Sequence, residues 1–300
     1  MLTPAILKEG DRIRIVSPAG KVKEEKVLPA VDLLRQLGFE VVLGKHVFDT
    51  HFQFAGTDEQ RLSDLQQALD DPDCRAIICS RGGYGAVRIA EKLDFTAYRN
   101  HPKWLVGFSD ITLLHALFQQ EGYCSIHGAM PAFYLKDGQP TESFTALMDI
   151  LTGKNQQIDC PAHPLNRAGK ATGQVTGGNL SIFYSLLGTP FEPDTRGKIL
   201  FLEDLSEYLY HLDRIMHSLY LAGKLKNLNG LITGGFTEMK DNDSPFGQTV
   251  EEIILNAVKE YQFPVCFDFP AGHTDRNLPL VFGAVYELRV SSQGSSIRKI

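Results

Sequence analysis

The first half of the chain alternates short, continuous apolar runs with longer segments whose apolar residues recur every three or four positions. RIRIVS (12–17), EVVLG (40–44), RAIICS (75–80), KWLVGF (103–108) and YCSIHG (123–128) read as strands. Between them, EEKVLPAVDLLRQLG, TDEQRLSDLQQALDD, YGAVRIAEKL and DITLLHALFQQEG carry helical spacing. Strand and helix in alternation imply right-handed crossovers and a parallel sheet covered on both faces, which is an open α/β domain.

A further helical pattern, TESFTALMDILTG (141–153), ends this region. The stretch KNQQIDCPAHPLNRAGKATGQVTGG that follows is polar, contains two prolines and lacks periodicity, so it reads as a linker. The expected organisation is an N-terminal domain over 1–153, a linker over 154–172 and a second domain over 173–300. That second region is more mixed, with strands expected at KILFLE, GLITGGF and PVCFDF, helices at EYLYHLDRIMHSLYLAGKL and TVEEIILNAVKEY, and a β-like tail LPLVFGAVYELRVSS.

Composition narrows the function classes. A chain of 300 residues with 43% hydrophobic content builds a sizeable core and has two domains as its prior. A net charge of −6 and the lack of any Lys/Arg-rich run argue against nucleic acid and a polybasic membrane surface as partners. The opening stretch MLTPAILKEGDRIRIVSPAG has neither a signal-peptide h-region nor a membrane-spanning apolar run, so the chain is expected to stay where it is made. Five scattered cysteines without a CxxC suggest free thiols in a reducing cytosol rather than disulfides or a zinc site.

Open parallel sheets bind ligands at the carboxyl ends of their strands, which singles out two places. After RAIICS comes RGGYG, where Gly82, Gly83 and Gly85 either punctuate a tight turn or aim backbone N–H groups at a developing oxyanion. It matches neither a phosphate loop nor the dinucleotide G-x-G-x-x-G pattern. After WLVGF comes Ser109, either a helix cap or a nucleophile at a strand-to-helix turn, although GFSDI lacks the second glycine of the G-x-S-x-G elbow. A serine nucleophile needs a base and an orienting acid. His127 and His273 are the candidate bases, His115 reads as packing, and His211 and His217 as a helix face. The acid is Glu203 or Asp204 at the end of KILFLED, which periodicity does not separate. DNDSPFG (241–247) fails the calcium-loop pattern at Phe246 and no paired metal-ligand spacing occurs, so neither metal nor cofactor is expected.

With these residues in view, the chain resembles the LD-carboxypeptidase family of serine peptidases, the group that also contains the microcin C immunity peptidases. The resemblance lies in SPAG (17–20), SRGGYGAVRI (80–89), GFSDIT (107–112), HGAM (127–130), GGNLS (177–181), FLED (201–204), FTEMKDND with PFG (236–247) and GHTDRNLPLVFG (272–283). It implies an α/β fold in which an N-terminal open parallel-sheet sandwich of flavodoxin-like type is joined by a linker to a C-terminal β-rich, barrel-like domain. It implies a triad of Ser109, Glu203 and His273, with oxyanion donors at the backbone N–H groups of Gly83 and Asp110. The implied enzyme is a cytoplasmic homodimer that removes the terminal D-alanine from a small murein peptide, L-Ala-γ-D-Glu-meso-diaminopimelate-D-Ala. Arg81 and Arg276 are the cations that sequence position offers for the substrate's terminal carboxylate. Alternatives are an immunity-type peptidase acting on aminoacyl-adenylate-like compounds, a silent ligand-binding protein on the same fold and a metal hydrolase.

Overall fold

The computed structural model describes residues 1–154 and 157–300. The chain begins with β1 (Arg12–Val16), α1 (Glu24–Gln36), β2 (Glu40–Leu43), α2 (Asp58–Asp70), β3 (Cys74–Cys79), β4 (Trp104–Gly107), α3 (Thr112–Gln120) and β5 (Ser125–His127). A two-stranded hairpin of β6 (Leu135–Lys136) and β7 (Gln139–Pro140) leads into α4 (Glu142–Leu151). There follow β8 (Gln157–Cys160), β9 (Gly169–Asn179), α5 (Leu180–Ser185), β10 (Ile199–Leu205), α6 (Leu209–Leu221), β11 (Gly230–Thr237), α7 (Val250–Ala257), β12 (Val265–Cys266), β13 (Leu280–Phe282), β14 (Val285–Ser291) and β15 (Gly294–Lys299).

Two compact units result, one of Met1–Lys154 with Leu278–Val281, the other of Asn155–Asn277 with Phe282–Ile300. The first holds a six-stranded sheet in the order β13-β5-β4-β3-β1-β2, with parallel pairing from β2 through to β5. The inner strand β4 is apolar on both faces, with all four residues buried, whereas β1 alternates buried isoleucines with half-buried Arg12 and Arg14. On α1, Val27, Ala30, Val31 and Leu34 supply the buried stripe, and α2 starts at a capping box between Thr57 and Gln60. Strand order reverses between β1 and β3, which makes that crevice the topological switch point of a doubly wound sheet.

The second unit holds a seven-stranded sheet in the order β12-β11-β10-β9-β14-β15-β8. Strands β9 to β12 pair in parallel, whereas β9, β14, β15 and β8 pair antiparallel. Helices α5, α6 and α7 cover it through Phe183, Leu212, Ile215, Leu219, Ile253 and Ile254, packed with Leu200, Leu202, Leu231 and Val265. The expected barrel-like closure is replaced by an open mixed sheet, since no ladder joins β12 to β8 among the described residues.

Three expectations of local structure are corrected. Residues 157–160 of the expected linker form β8 and its last residues open β9; residues 155 and 156 of that stretch lie outside the described residues. β9 (GKATGQVTGGN) shows no alternation because β10 and β14 flank it, so main-chain pairing rather than side-chain burial holds it. The segment YGAVRIAEKL forms two 3₁₀ turns, Ala86–Arg88 and Ala90–Lys92, instead of one α-helix. The Asp110 carboxylate takes the N–H of Ala86 at 2.9 Å, and the positive φ of Gly85 (141°) interrupts helical geometry there.

Lys103 is fully buried and donates to the carbonyls of Ala68, Leu69 and Asp71 at 3.3, 2.7 and 2.6 Å, closing the end of α2 and the turn beyond it. Burial lowers its pKa from the ordinary lysine value. Lys103→Met keeps the stem but strands these acceptors, so stability should fall by about 2–4 kcal/mol. Chemical denaturation read by circular dichroism checks this; an unchanged midpoint would show that the three bonds contribute nothing net.

Candidate active site

β4 drives the chain into Phe108 and Ser109, and Ser109 sits in the left-handed backbone region at φ 65°. Such a conformation costs a non-glycine residue roughly 1–3 kcal/mol and exposes its side chain at a sharp strand-to-helix turn. Ser109 opens a 3₁₀ turn (Ser109–Ile111) that runs into α3, whose N-cap is Ile111. The helix-cap role open to Ser109 on sequence grounds is therefore not the one it plays. Glycine is required opposite it, because a Cβ on Gly82 would lie 2.8 Å from the Ser109 Cβ.

Asp110 ties the two turns together. Its buried carboxylate accepts the N–H of Ala86, which fixes the glycine turn against the serine turn. Burial raises its pKa to about 6, opposed by the backbone N–H groups of Ala86 and Gly85 and by the Arg61 charge. Gly83, at φ 103°, packs on the backbone of Gly20 in the loop after β1, and Gly20 N–H donates to Gly82 O at 3.0 Å.

In the second unit, β10 ends in two carboxylates that face opposite ways. Glu203 is fully buried; its Oε2 accepts His273 Nδ1–H at 2.6 Å and the His273 backbone N–H at 3.2 Å. Asp204 is used up locally, accepting from Asn179 Nδ2 (2.9 Å), Ser181 N–H (3.0 Å), Ser181 Oγ–H (2.8 Å) and Leu205 N–H (2.8 Å) at the start of α5. His273 lies in the loop after β12 and is partly exposed. Gly272, at φ 97°, brings that loop so close that a Cβ there would lie 2.7 Å from the Glu203 side chain. The loop is held by Gly272 N–H on Asn277 Oδ1 (2.9 Å), Gly235 N–H on Ala271 O (2.9 Å) and Thr237 Oγ1–H on His273 O (3.0 Å). Asn277 and Thr237 were not singled out on sequence grounds, because nothing in their local pattern marks them as supports. Burial lowers the His273 pKa, but the hydrogen bond and charge of Glu203, with Asp204 and Glu238, outweigh it and leave it raised from the ordinary histidine value.

The remaining candidates divide clearly. His115 is a core residue: its ring pairs with Gly107 O and Ser125 Oγ, each at 2.9 Å, and burial takes its pKa down to about 4. His127 is fully buried on β5 between the rings of Phe108 and His115. Arg81 is exposed and donates from Nη1 to Lys21 O at 2.9 Å, lining a cavity of about 630 Å³ in the first unit. Arg276 is exposed in the second unit, and its carbonyl accepts from Thr274 Oγ1. Among the described residues no group of three His, Cys, Asp or Glu is placed to hold a metal ion, and no helix is long and apolar enough to cross a membrane. All five cysteines are buried with free thiols.

Comparison with known proteins gives these turns a context. Residues 13–128 match the model of the LD-carboxypeptidase N-terminal domain, and residues 172–288 that of the LD-carboxypeptidase C-terminal domain. The chain is 35% identical over 290 residues to a probable murein peptide carboxypeptidase of Bacillus subtilis, covering 94% of this chain and 89% of the relative. It is 28% identical over 282 residues to a murein tetrapeptide carboxypeptidase of Pseudomonas aeruginosa, covering 91% of each. Among solved structures, the muramoyltetrapeptide carboxypeptidase of Oxalobacter formigenes superposes with a TM-score of 0.87 at 27% identity over 96% of this chain and 98% of that one. An MccF-like protein from Bacillus anthracis superposes at 0.85 with 26% identity over 100% and 99%. With both domain models matched in order and the relatives covered almost end to end, the chain belongs to the LD-carboxypeptidase family of serine peptidases.

Proposed function

We propose that the protein is a serine LD-carboxypeptidase that releases the terminal D-alanine from the murein tetrapeptide, with Ser109 as nucleophile, His273 as general base and Glu203 as the group that orients it. The observation that carries this reading is the 2.6 Å bond from His273 Nδ1 to a fully buried Glu203. That bond fixes the tautomer with Nδ1 protonated, so Nε2 is the basic nitrogen. The left-handed serine turn and the names of the relatives support it further. In this reading the enzyme works in the cytoplasm, as a homodimer, on recycled peptide.

His273 Nε2 takes the proton as Ser109 Oγ attacks the diaminopimelate carbonyl, and the buried carboxylate of Glu203 stabilises the imidazolium that forms. The N–H groups of Gly83 and Asp110 receive the oxyanion, each contributing about 3 kcal/mol in the transition state. The imidazolium returns its proton to the D-alanine nitrogen as the peptide bond breaks, and water then attacks the acyl-serine by the same route. Arg81 or Arg276 takes the terminal carboxylate. The mechanism requires the serine of one unit and the imidazole of the other to come within hydrogen-bond reach in the substrate complex. A second reading, hydrolysis of an aminoacyl-nucleotide, draws on the likeness to the MccF-like protein; it predicts turnover of an acyl sulfamoyl adenosine and none of the tetrapeptide.

D-alanine release from the tetrapeptide should fall by roughly 10⁴-fold or more in Ser109→Ala. Ser109→Gly should be equally inactive yet melt higher than Ser109→Ala, because glycine accepts φ 65° without strain. Release that persists in either variant would remove Ser109 from the chemistry.

Because the base works only when neutral and Glu203 raises its pKa from the ordinary histidine value, kcat/KM should fall on the acid side with a midpoint higher than an unperturbed histidine would give. Glu203→Gln withdraws the charge that raises this pKa. The midpoint should move to lower pH while the plateau drops about 10²–10⁴-fold. An unmoved midpoint in a folded Glu203→Gln protein would show that Glu203 does not set the base.

A further inference from the structure

The cavity lined by Arg81 holds, beside that candidate for the terminal carboxylate, three lysines to which the peptidase reading gives no role. Its walls are Lys21, Val22, Lys23, Glu25, Lys26, Thr50, Arg81, Ala132 and Phe133, enclosing about 630 Å³. Four cations therefore meet one carboxylate, in a chain whose net charge is −6. Concave walls concentrate such a field and raise the local concentration of anions.

Topology places these residues at carboxyl strand ends. Lys21 follows β1, Thr50 follows β2 and Arg81 follows β3, and β1 with β3 forms the crevice where strand order reverses. Ligands of doubly wound sheets bind outside that crevice. The helix α1 begins there at Glu24, and its N-cap, Lys23, provides no side-chain oxygen to the first-turn N–H groups. Arg81 is oriented in advance by its bond to Lys21 O, which lowers the entropic cost of binding through it.

Two walls of the cavity also touch the serine turn. Arg81 precedes Gly82, whose Cα lies against Ser109, and the exposed ring of Phe133 contacts Phe108 at 5.9 Å between centroids. A ligand seated here would be one side-chain layer from the nucleophile.

We propose that this cavity is a subsite for a ligand bearing two or more oxyanions, held by Lys21, Lys26 and Arg81 with its apolar part against Ala132 and Phe133. The proposal rests on the peptidase reading only for the identity of the rest of the ligand, which would be the peptide undergoing cleavage. Carboxylates of the peptide itself and phosphates on a larger molecule carrying it share the required chemistry.

The test is titration calorimetry on the full-length Ser109→Ala protein, so that binding is read without turnover. Inorganic pyrophosphate and citrate serve as separate probes of the phosphate and carboxylate sources. Binding of either, weakened about tenfold or more by Lys21→Ala with Lys26→Ala and weakened by raising salt from 50 to 200 mM, supports the site, and the tighter probe identifies the source. Glu25→Gln, which removes the one carboxylate, should tighten the same probe. Failure of both probes to bind, or binding that these substitutions leave unchanged, overturns the proposal whatever the peptidase assay gives.

Discussion

A serine forced into left-handed backbone geometry is the constraint around which the first unit is arranged. Strand β4 is buried along its whole length and must turn at once into α3, and Ser109 takes that turn at φ 65°. The strain persists only where the surroundings leave no alternative. Gly82 supplies the space opposite, and Asp110 locks the facing loop by accepting the Ala86 N–H. Asp110 bears the desolvation of a buried carboxylate to do so, as its pKa near 6 records. The arrangement holds the glycine turn against the serine turn.

The second unit solves the complementary problem with side chains. Successive residues of a strand point to opposite faces, so Glu203 and Asp204 cannot share a task. Asp204 accepts four hydrogen bonds and closes the start of α5, which anchors the end of β10. Glu203 on the other face is left with His273, and its Oε1 has no hydrogen-bond partner among the described residues. Both hydrogen bonds to this buried carboxylate come from one residue, the His273 ring and the His273 backbone N–H, so the carboxylate fixes the loop and the imidazole together. One strand end thus supplies the support and the functional group together.

Much of this was legible in the sequence because the relevant signals are local. The parallel strands β3 and β4 read as near-continuous apolar runs since both their faces are covered, β1 reads by its Arg-Ile alternation, and the helices between them carry plain stripes. The glycine turn and Ser109 stood out by position after such runs. What escaped was governed by partners distant in sequence. β9 is a strand because β10 and β14 are on either side of it, and β8 because β15 pairs with it, although neither segment is apolar enough to declare itself. The helix expected at YGAVRIAEKL gave way to a carboxylate more than twenty residues downstream. Glu203 and Asp204 were equivalent by periodicity for the same reason; what separates them is a histidine loop contributed by a stretch some seventy residues away.

The proposed reading joins the electrostatics of the two units through the substrate. Glu203, Asp204 and Glu238 all favour the protonated form of His273, whereas the proposed role as general base requires the neutral form. In the proposed reading a murein peptide would bring further carboxylates, and each one arriving near the imidazole unneutralised would raise its pKa further and shrink the reactive fraction. Cations that hold the substrate's carboxylates remove that penalty as well as supplying affinity. The four cations of the cavity belong to the unit that carries Ser109, whereas Glu203, Asp204 and Glu238 belong to the other.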